Sequence, residues 1–199
     1  MKRTESKSKR SRQLGIALTP KAQRIMDRKP YPPGQHGQGR RRRPSDYKIQ
    51  LQEKQKLAAQ YNINETKMRN YYKKAAQQEG YTIDNLVQLL ESRLDAVVLR
   101  GGLARTIYQA RQFVGHGHII VNGKSTDIPS YHVRPGDVVS VREKSRKVQA
   151  FHDALQTANP PEYLDLSKPE MSIVFSYLPK REEVPIECDV PQVVEYYSR

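Results

Sequence analysis

The sequence predicts an α+β protein with an extended basic arm at its N-terminus, and three observations carry this prediction. Apolar residues recur at helical spacing between residues 45 and 115. From residue 118 the pattern changes to short strands separated by turn residues. Residues 1–48 hold 15 basic and 3 acidic side chains and few apolar ones, so they cannot build a core by themselves.

The overall composition favours an acidic partner and excludes several classes of protein. Of 199 residues, 35 are Lys or Arg and 21 are Asp or Glu, which gives a net charge of +14 and a field that attracts polyanions. No apolar run approaches the roughly 18 residues of a membrane span. The single cysteine, Cys188, excludes an intramolecular disulfide framework and a cysteine-based zinc cluster. No nucleotide-binding or nucleophile motif is present, so we expect neither catalysis nor a cofactor or metal.

The basic arm is expected to span residues 1–44. Prolines in the segment 29–34 stiffen it. It ends in four consecutive arginines, Arg40, Arg41, Arg42 and Arg43. These charges repel one another unless counter-charges lie nearby, and phosphates would supply them. A solvated tail and a targeting segment are the alternatives, although residues 1–12 lack the apolar face of an amphipathic transit helix.

Two amphipathic helices are predicted to follow the arm. Ser45 is suited to cap the first and Asn64 the second, which Gly80 would end. Their polar faces are basic, a pattern that suits a solvated surface as well as a nucleic-acid contact. The basic side chains are Lys54, Lys56, Lys67, Arg69, Lys73 and Lys74.

A third helix is predicted from residues 84–85 to Leu99, and a fourth, shorter one follows it. Thr106 and Gln109 have the spacing of a capping box at the start of the short helix, and Gly115 ends it. One face of this helix is apolar. The opposite face carries Arg105, Tyr108 and Gln112.

Short antiparallel strands are predicted after these helices. Residues 118–121 lead into Asn122-Gly123, a pair that accepts the positive φ angles of a tight hairpin turn. A second turn at residues 134–137 leads into the strand 138–142. Two helices packed on such strands make a compact module of about 60 residues. The module ends in a basic stretch of Arg142, Lys144, Arg146 and Lys147.

The C-terminal segment differs in charge from the rest of the chain. Residues 148–199 hold 4 basic and 9 acidic side chains, net −5, so we expect part of this surface to face a protein and not RNA. The stretch SIVFSYLP predicts a strand, and Asp189 can cap a helix that starts at Val190. Alternatively, residues 193–197 only close the helical domain.

The longest informative stretch is LESRLDAVVLRGGLARTIYQARQFVGHGHIIVNGKSTDIPSYHVRPGDVVSVREKS. It resembles the RNA-binding module of the small-subunit ribosomal protein number four family, a module shared with some pseudouridine synthases and tyrosyl-tRNA synthetases. The stretches YPPGQHGQGRRRR, LQEKQKLAAQYNINETKMRNYY and VVEYYSR extend the resemblance, toward bacterial members, over nearly the whole chain. The chain lacks the N-terminal cysteine cluster of some members and is similar to the cysteine-free variant.

The resemblance implies a domain organisation and a function. The family inserts the module into a helical domain, so we expect an arm at 1–44, a helical domain from 45–90 with 171–199, and the inserted module and its connection at 91–170. A family member is a cytoplasmic, structural constituent of the small ribosomal subunit. It binds ribosomal RNA at a helical junction, nucleates assembly of the subunit body, contacts ribosomal protein number five and contributes to translational accuracy. A free RNA-binding chaperone and an RNA-modifying enzyme are the alternatives.

The resemblance and the charge pattern together predict the RNA-contacting residues. Arg105 and Gln112 are the first candidates for phosphate and ribose contact because they share the polar face of the short helix. Arg111 is as well suited to a salt bridge with Asp95 or Glu91, and Tyr131 to packing as to stacking on a base. The complete set is Arg40, Arg41, Arg42, Arg43, Arg93, Arg105, Arg111, Gln112, His116, Asn122, Tyr131, Arg142 and Lys144.

Overall fold

The computed structural model describes residues 6–39 and 43–198, and it confirms the predicted α+β class. The helices in these residues are α1 (Lys7–Leu14), α2 (Pro20–Arg28), α3 (Asp46–Gln60), α4 (Glu65–Gln77), α5 (Thr82–Glu91), α6 (Leu94–Arg100), α7 (Ile107–Gly115), α8 (Gln149–Gln156) and α9 (Val190–Ser198). The strands are β1 (Ile119–Val121), β2 (Lys124–Ser125), β3 (Val138–Val141), β4 (Leu164–Ser167) and β5 (Ser172–Phe175). They form one antiparallel sheet in the order β2-β1-β3-β5-β4.

The chain divides into two compact units. One comprises the described residues up to Glu65 together with those from Ile186, and the other is Thr66–Pro185. The N- and C-terminal parts of the chain thus share a unit, and the intervening chain forms the other. The boundaries differ from the expected ones at 90/91 and 170/171, the second of which lies between the paired strands β4 and β5.

In the first unit, the extended conformation predicted for the N-terminal arm is wrong for residues 7–28. These residues form α1 and α2, because the apolar side chains of Leu14, Ile16 and Leu18 find a common buried environment. Thr19 caps α2 by accepting a hydrogen bond from the amide of Ala22 at 3.1 Å. Proline at the first position of a helix, after a capping threonine, is a common helix start. The Thr19-Pro20 pair therefore indicated a helix, although the high net charge of the region favoured an extended arm.

Helices α3 and α9 pack against each other in the same unit. Ser45 caps α3, as predicted, and α9 starts at the predicted Val190. Gln50 of α3 donates to Glu195 of α9 at 2.9 Å, and Val193 of α9 is fully buried. Part of the 193–197 segment therefore closes the helical unit, which is the alternative that the sequence left open.

The second unit packs α5, α6 and α7 with the sheet around a common core. Its fully buried side chains include Leu86, Leu90, Leu94, Val97, Ile119, Val139, Ile173 and Phe175. The Asn122-Gly123 turn has φ values of 48° and 77°, which confirms the predicted tight hairpin. Helix α8 and strand β4 complete the unit, although the sequence pattern did not predict them.

A buried carboxylate joins three parts of the second unit. The Glu91 carboxylate of α5 accepts hydrogen bonds from Arg100 Nε at 3.2 Å and from the Tyr163 hydroxyl at 3.0 Å. Burial, and then the Glu91 charge, raise the pKa of Tyr163, so its hydroxyl stays a donor. Because Tyr163 immediately precedes β4, this contact fixes the connection between the helices and the outer strand of the sheet.

The single helix predicted from residues 84–85 to Leu99 is in fact two helices, α5 and α6. Arg93 between them is extended, with φ −72° and ψ 138°, and pairs with His132 as an isolated bridge. The Ser92 carbonyl accepts from the Val133 amide at 2.7 Å, and the Leu94 amide donates to the Tyr131 carbonyl at 2.9 Å. The backbone groups that would continue the helix are thus engaged by the segment 131–133, which interrupts it.

Candidate nucleic-acid interface

Helix α7 presents the predicted polar face. Thr106 caps the helix by accepting from the Gln109 amide at 3.2 Å, whereas the Gln109 side chain accepts from the amide of Arg105 and not from that of Thr106. Ile107 and Val114 of this helix are buried, and Gln112 is exposed. The helix therefore buries its apolar face and turns its hydrogen-bonding side chains to solvent.

Arg105 is exposed and held in one orientation. Its Nε and Nη2 atoms donate to the backbone carbonyl of Asp153 in α8, at 3.2 Å and 2.8 Å. These contacts use two of the five N–H donors of the guanidinium. Because the carbonyl carries no net charge, this contact orients the guanidinium without neutralising it.

A second basic group lies at the opposite end of α7. Exposed His116 follows the helix, and the amide of Arg142 donates to the His118 carbonyl at 2.8 Å, which brings the end of β3 alongside. Burial, and then the charges of His116 and Arg142, lower the pKa of His118. Lys144 is exposed just beyond Arg142. His116 and Arg142 therefore lie in one electropositive region around His118, and Lys144 follows in the chain after exposed Glu143.

Arg93 requires a correction, since the structure excludes it from any surface. Its side chain is 1% exposed, and it forms a bidentate pair with Asp95, from Nε to Oδ1 at 2.9 Å and from Nη2 to Oδ2 at 2.7 Å. Its Nη1 donates to the Tyr71 hydroxyl at 2.7 Å. Burial alone would lower the pKa of Arg93, but the hydrogen bonds and charge of Asp95 outweigh it and raise that pKa. Arg93 is a structural cation.

Arg111 adopts the salt bridge that the sequence offered as an alternative. Its Nη1 lies 3.3 Å from Asp95 Oδ2, with 28% of its side chain exposed. The Asp95 amide donates to the carbonyl of Pro129, next to the exposed Tyr131. The Asp95 carboxylate therefore positions Arg111, and the Asp95 backbone amide holds the segment that leads to Tyr131.

Asn122 is exposed, and its side-chain amide is engaged within the protein. Nδ2 donates to Asp137 Oδ1 at 2.8 Å, and Oδ1 accepts from the amide of Val138 at 2.9 Å. These bonds tie the β1–β2 turn to the start of β3. Asn122 therefore has a structural role in the hairpin.

The tetra-arginine stretch is placed only in part. Arg40, Arg41 and Arg42 lie outside the described residues, and Arg43 is exposed. Of the described residues, no three His, Cys, Asp or Glu side chains lie close enough together to hold a metal ion. None of the described helices is both long and apolar enough to cross a bilayer.

A cleft in the second unit is lined by residues that the sequence pattern did not predict to form a site. It has a volume of about 250 Å³ and is lined by Lys67, Asn70, Tyr71, Lys74 and Ser130. The first four follow the i, i+3, i+4, i+7 spacing of one helix face. That spacing could have indicated a site on this helix face, although basic helix faces are more often simply exposed to solvent.

Comparison with known proteins agrees with this geometry. Residues 2–91 match the family described as the Ribosomal protein S4/S9 N-terminal domain, and residues 92–139 match the S4 domain. The chain is 50% identical to the small ribosomal subunit protein uS4 of Micrococcus luteus, over 99% of this chain and 98% of that protein. It is 51% identical to the uS4 protein of Streptomyces griseus, over 97% of each chain, and 50% identical to that of Chlorobium phaeovibrioides, over 96% of each. The chain therefore belongs to the uS4 family of small ribosomal subunit proteins.

Proposed function

We propose that this protein is a constituent of the small ribosomal subunit that binds ribosomal RNA and catalyses no reaction. The observation that carries the proposal is the likeness to small ribosomal subunit proteins over 99% of the chain. The geometry of the second unit supports it, because Arg105, Gln112 and His116 are exposed along α7. Side chains of this kind bind phosphates and riboses.

The RNA element that best fits this surface is a helical junction. The base edges of an A-form helix lie in a deep, narrow groove, so a protein recognises such RNA by its shape, its phosphates and its 2′-hydroxyls. Cations at both ends of α7, together with the basic N-terminal region, suit several helices that converge. Binding at a junction would hold those helices together, which is how the protein would nucleate assembly of the subunit body.

The proposed protein neighbour is ribosomal protein number five, through the acidic C-terminal part of the chain. Tyr177 and Leu178 are exposed apolar side chains next to the acidic residues Glu182 and Glu183, a composition that favours a protein partner over RNA. Changes at this contact would alter translational accuracy. Cross-linking through exposed Lys180 in assembled subunits should join the two proteins, and its absence there would contradict this surface.

Two measurements test the proposal. Nuclease footprinting of small-subunit RNA with the purified full chain should protect nucleotides that converge on one junction. The protein should also co-sediment with the small subunit after a high-salt wash, which a free RNA chaperone would not do. Protection scattered over the RNA, or release by the wash, would contradict a role as a structural constituent.

A further inference from the structure

The cleft beside α4 is lined by side chains that can bind an anion. Lys67, Asn70, Tyr71 and Lys74 line one wall, and Ser130 lines the other. All five side chains can donate a hydrogen bond, and none of them is acidic. We infer that this cleft binds a phosphate of the RNA backbone, an assignment that rests on the proposed function.

The Tyr71 hydroxyl accepts a hydrogen bond from Arg93. Arg93 Nη1 donates to the Tyr71 oxygen at 2.7 Å, and the Arg93 charge center lies 5.6 Å from the center of the Tyr71 ring. The tyrosine oxygen is therefore the acceptor in this bond, and its own proton is left to be donated. Contact with a guanidinium makes the hydroxyl a stronger donor, and an anion in the cleft is a suitable acceptor.

Both walls of the cleft are fixed to the same buried ion pair. Arg93 holds Tyr71 on the α4 side, and its partner Asp95 holds the opposite side because the Asp95 amide donates to the Pro129 carbonyl at 3.1 Å. The Tyr131 carbonyl, on the other side of Ser130, accepts from the Leu94 amide at 2.9 Å. The cleft is thus held open without a ligand, which reduces the ordering cost of binding.

The local field has the sign that a phosphate requires. Burial, and then the charges of Arg134 and Lys74, lower the pKa of His132, against the weaker opposing effect of Asp137. The positive charges therefore prevail near the Ser130 wall. Because the cleft is open to solvent and holds cations on only one wall, it suits one phosphodiester of a larger chain.

The helix supplies a matched control for the test. At 100° per residue, Lys67 and Lys74 lie on the cleft face of α4, whereas Arg69 and Lys73 lie outside it, about 150° and about 110° from its centre. The double variants Lys67→Gln/Lys74→Gln and Arg69→Gln/Lys73→Gln remove the same charge from the same helix. Binding of each full-length variant to a small-subunit RNA transcript is measured at several KCl concentrations, with thermal unfolding as the check on folding.

We expect the cleft variant to lose about tenfold or more in affinity and its salt slope to become shallower by about one. The control variant should lose much less. Equal losses in the two variants would overturn the site, because they would reflect only the general field of the protein. Failure of the unaltered protein to bind the transcript would overturn the proposed function, and this site with it.

A second experiment distinguishes binding of an RNA phosphate from binding of free phosphate. Inorganic phosphate is titrated into the protein while the amide signal of Asn70 is followed by NMR. Weak, non-saturating shifts are expected, since a single phosphate lacks the neighbouring contacts of an RNA chain. Saturation at low phosphate concentration, with RNA affinity unaffected by the cleft variant, would assign the cleft to a free anion and overturn the inference.

Discussion

Arg105 is the cation whose geometry is best defined for RNA contact. Its guanidinium is exposed, and the carbonyl of Asp153 orients it. We expect Arg105→Ala to weaken binding to junction RNA by about 1–3 kcal/mol, because a charge-assisted hydrogen bond is lost. Filter binding at two salt concentrations measures the effect.

Lys168, an exposed cation between β4 and β5, provides the control for this substitution. Lys168→Ala removes one charge away from the α7 face and should change the affinity little. If Arg105→Ala and Lys168→Ala bind equally well, Arg105 contributes only to the general positive field.

Asp95 stabilises the second unit through two arginines. It is fully buried and accepts from Arg93 and Arg111. Asp95→Asn should lower the free energy of unfolding by about 3–5 kcal/mol, because it leaves Arg93 buried without its counter-charge. Urea denaturation followed by circular dichroism measures this. Asp165→Asn, at an exposed position in β4, is the control and should change stability little.

The contrast between Arg105 and Arg93 indicates which site residues a sequence can identify. Arg105 was correctly placed on a solvent-exposed face because that face follows from local helical periodicity. Arg93 is buried by Tyr71 and Asp95, and Tyr71 lies 22 positions away along the chain. Arginine is rarely fully buried unless it is paired, so the sequence alone favoured an exposed side chain for Arg93.

The hairpin between β1 and β2 depends on Asn122. Its φ is 48°, and its side chain makes two hydrogen bonds to residues at the start of β3. Asn122→Ala should destabilise the protein by about 1–3 kcal/mol, since it loses those bonds and strains a positive φ. Asn122→Gly removes only the bonds and should cost less, as measured by thermal unfolding.

RNA binding by the same two variants separates structure from recognition. Where the variants remain folded, they should bind RNA as tightly as the unaltered protein. A large loss of affinity in folded Asn122→Gly would return Asn122 to the RNA-contacting residues.

Helices and strands were predictable where their start and stop signals are local. Ser45, Thr106 and the Asn122-Gly123 turn act on their immediate neighbours, and the structure confirms each of them. Asn85, by contrast, was predicted to start a helix, but its side chain donates to carbonyls at the end of α4, including that of Ala75 at 3.2 Å. A polar cap serves whichever helix end lies nearest in space, and sequence spacing does not determine that.

At the scale of the whole molecule, charge is distributed unevenly along the chain. The first 48 residues carry net +12 and the last 52 carry net −5. From the acidic segment, the residues from Ile186 onward share a unit with the N-terminal region, and there α9 packs on α3. The proposed protein contact at Tyr177 and Leu178 lies in the second unit, so acidic side chains of this segment belong to both units.

The tetra-arginine stretch should contribute to the salt dependence of RNA binding. Deleting residues 1–43 would not test this, because it would remove buried Leu14, Ile16 and Leu18 from the first unit. Substituting Arg40, Arg41, Arg42 and Arg43 together by Gln leaves that core intact. If each arginine neutralises one phosphate, the slope of log affinity against log salt should become shallower by about three to four.

The matched control replaces the same four arginines by lysine, which keeps the charge and removes the planar guanidinium. Because counterion release depends on charge, the lysine variant should retain the slope of the unaltered protein, with lower affinity if bidentate contacts are lost. An unchanged slope in the glutamine variant would show that the stretch touches no phosphate. The phosphate contacts would then have to come from other cations, among them Arg105, Arg142 and the lysines of the cleft beside α4.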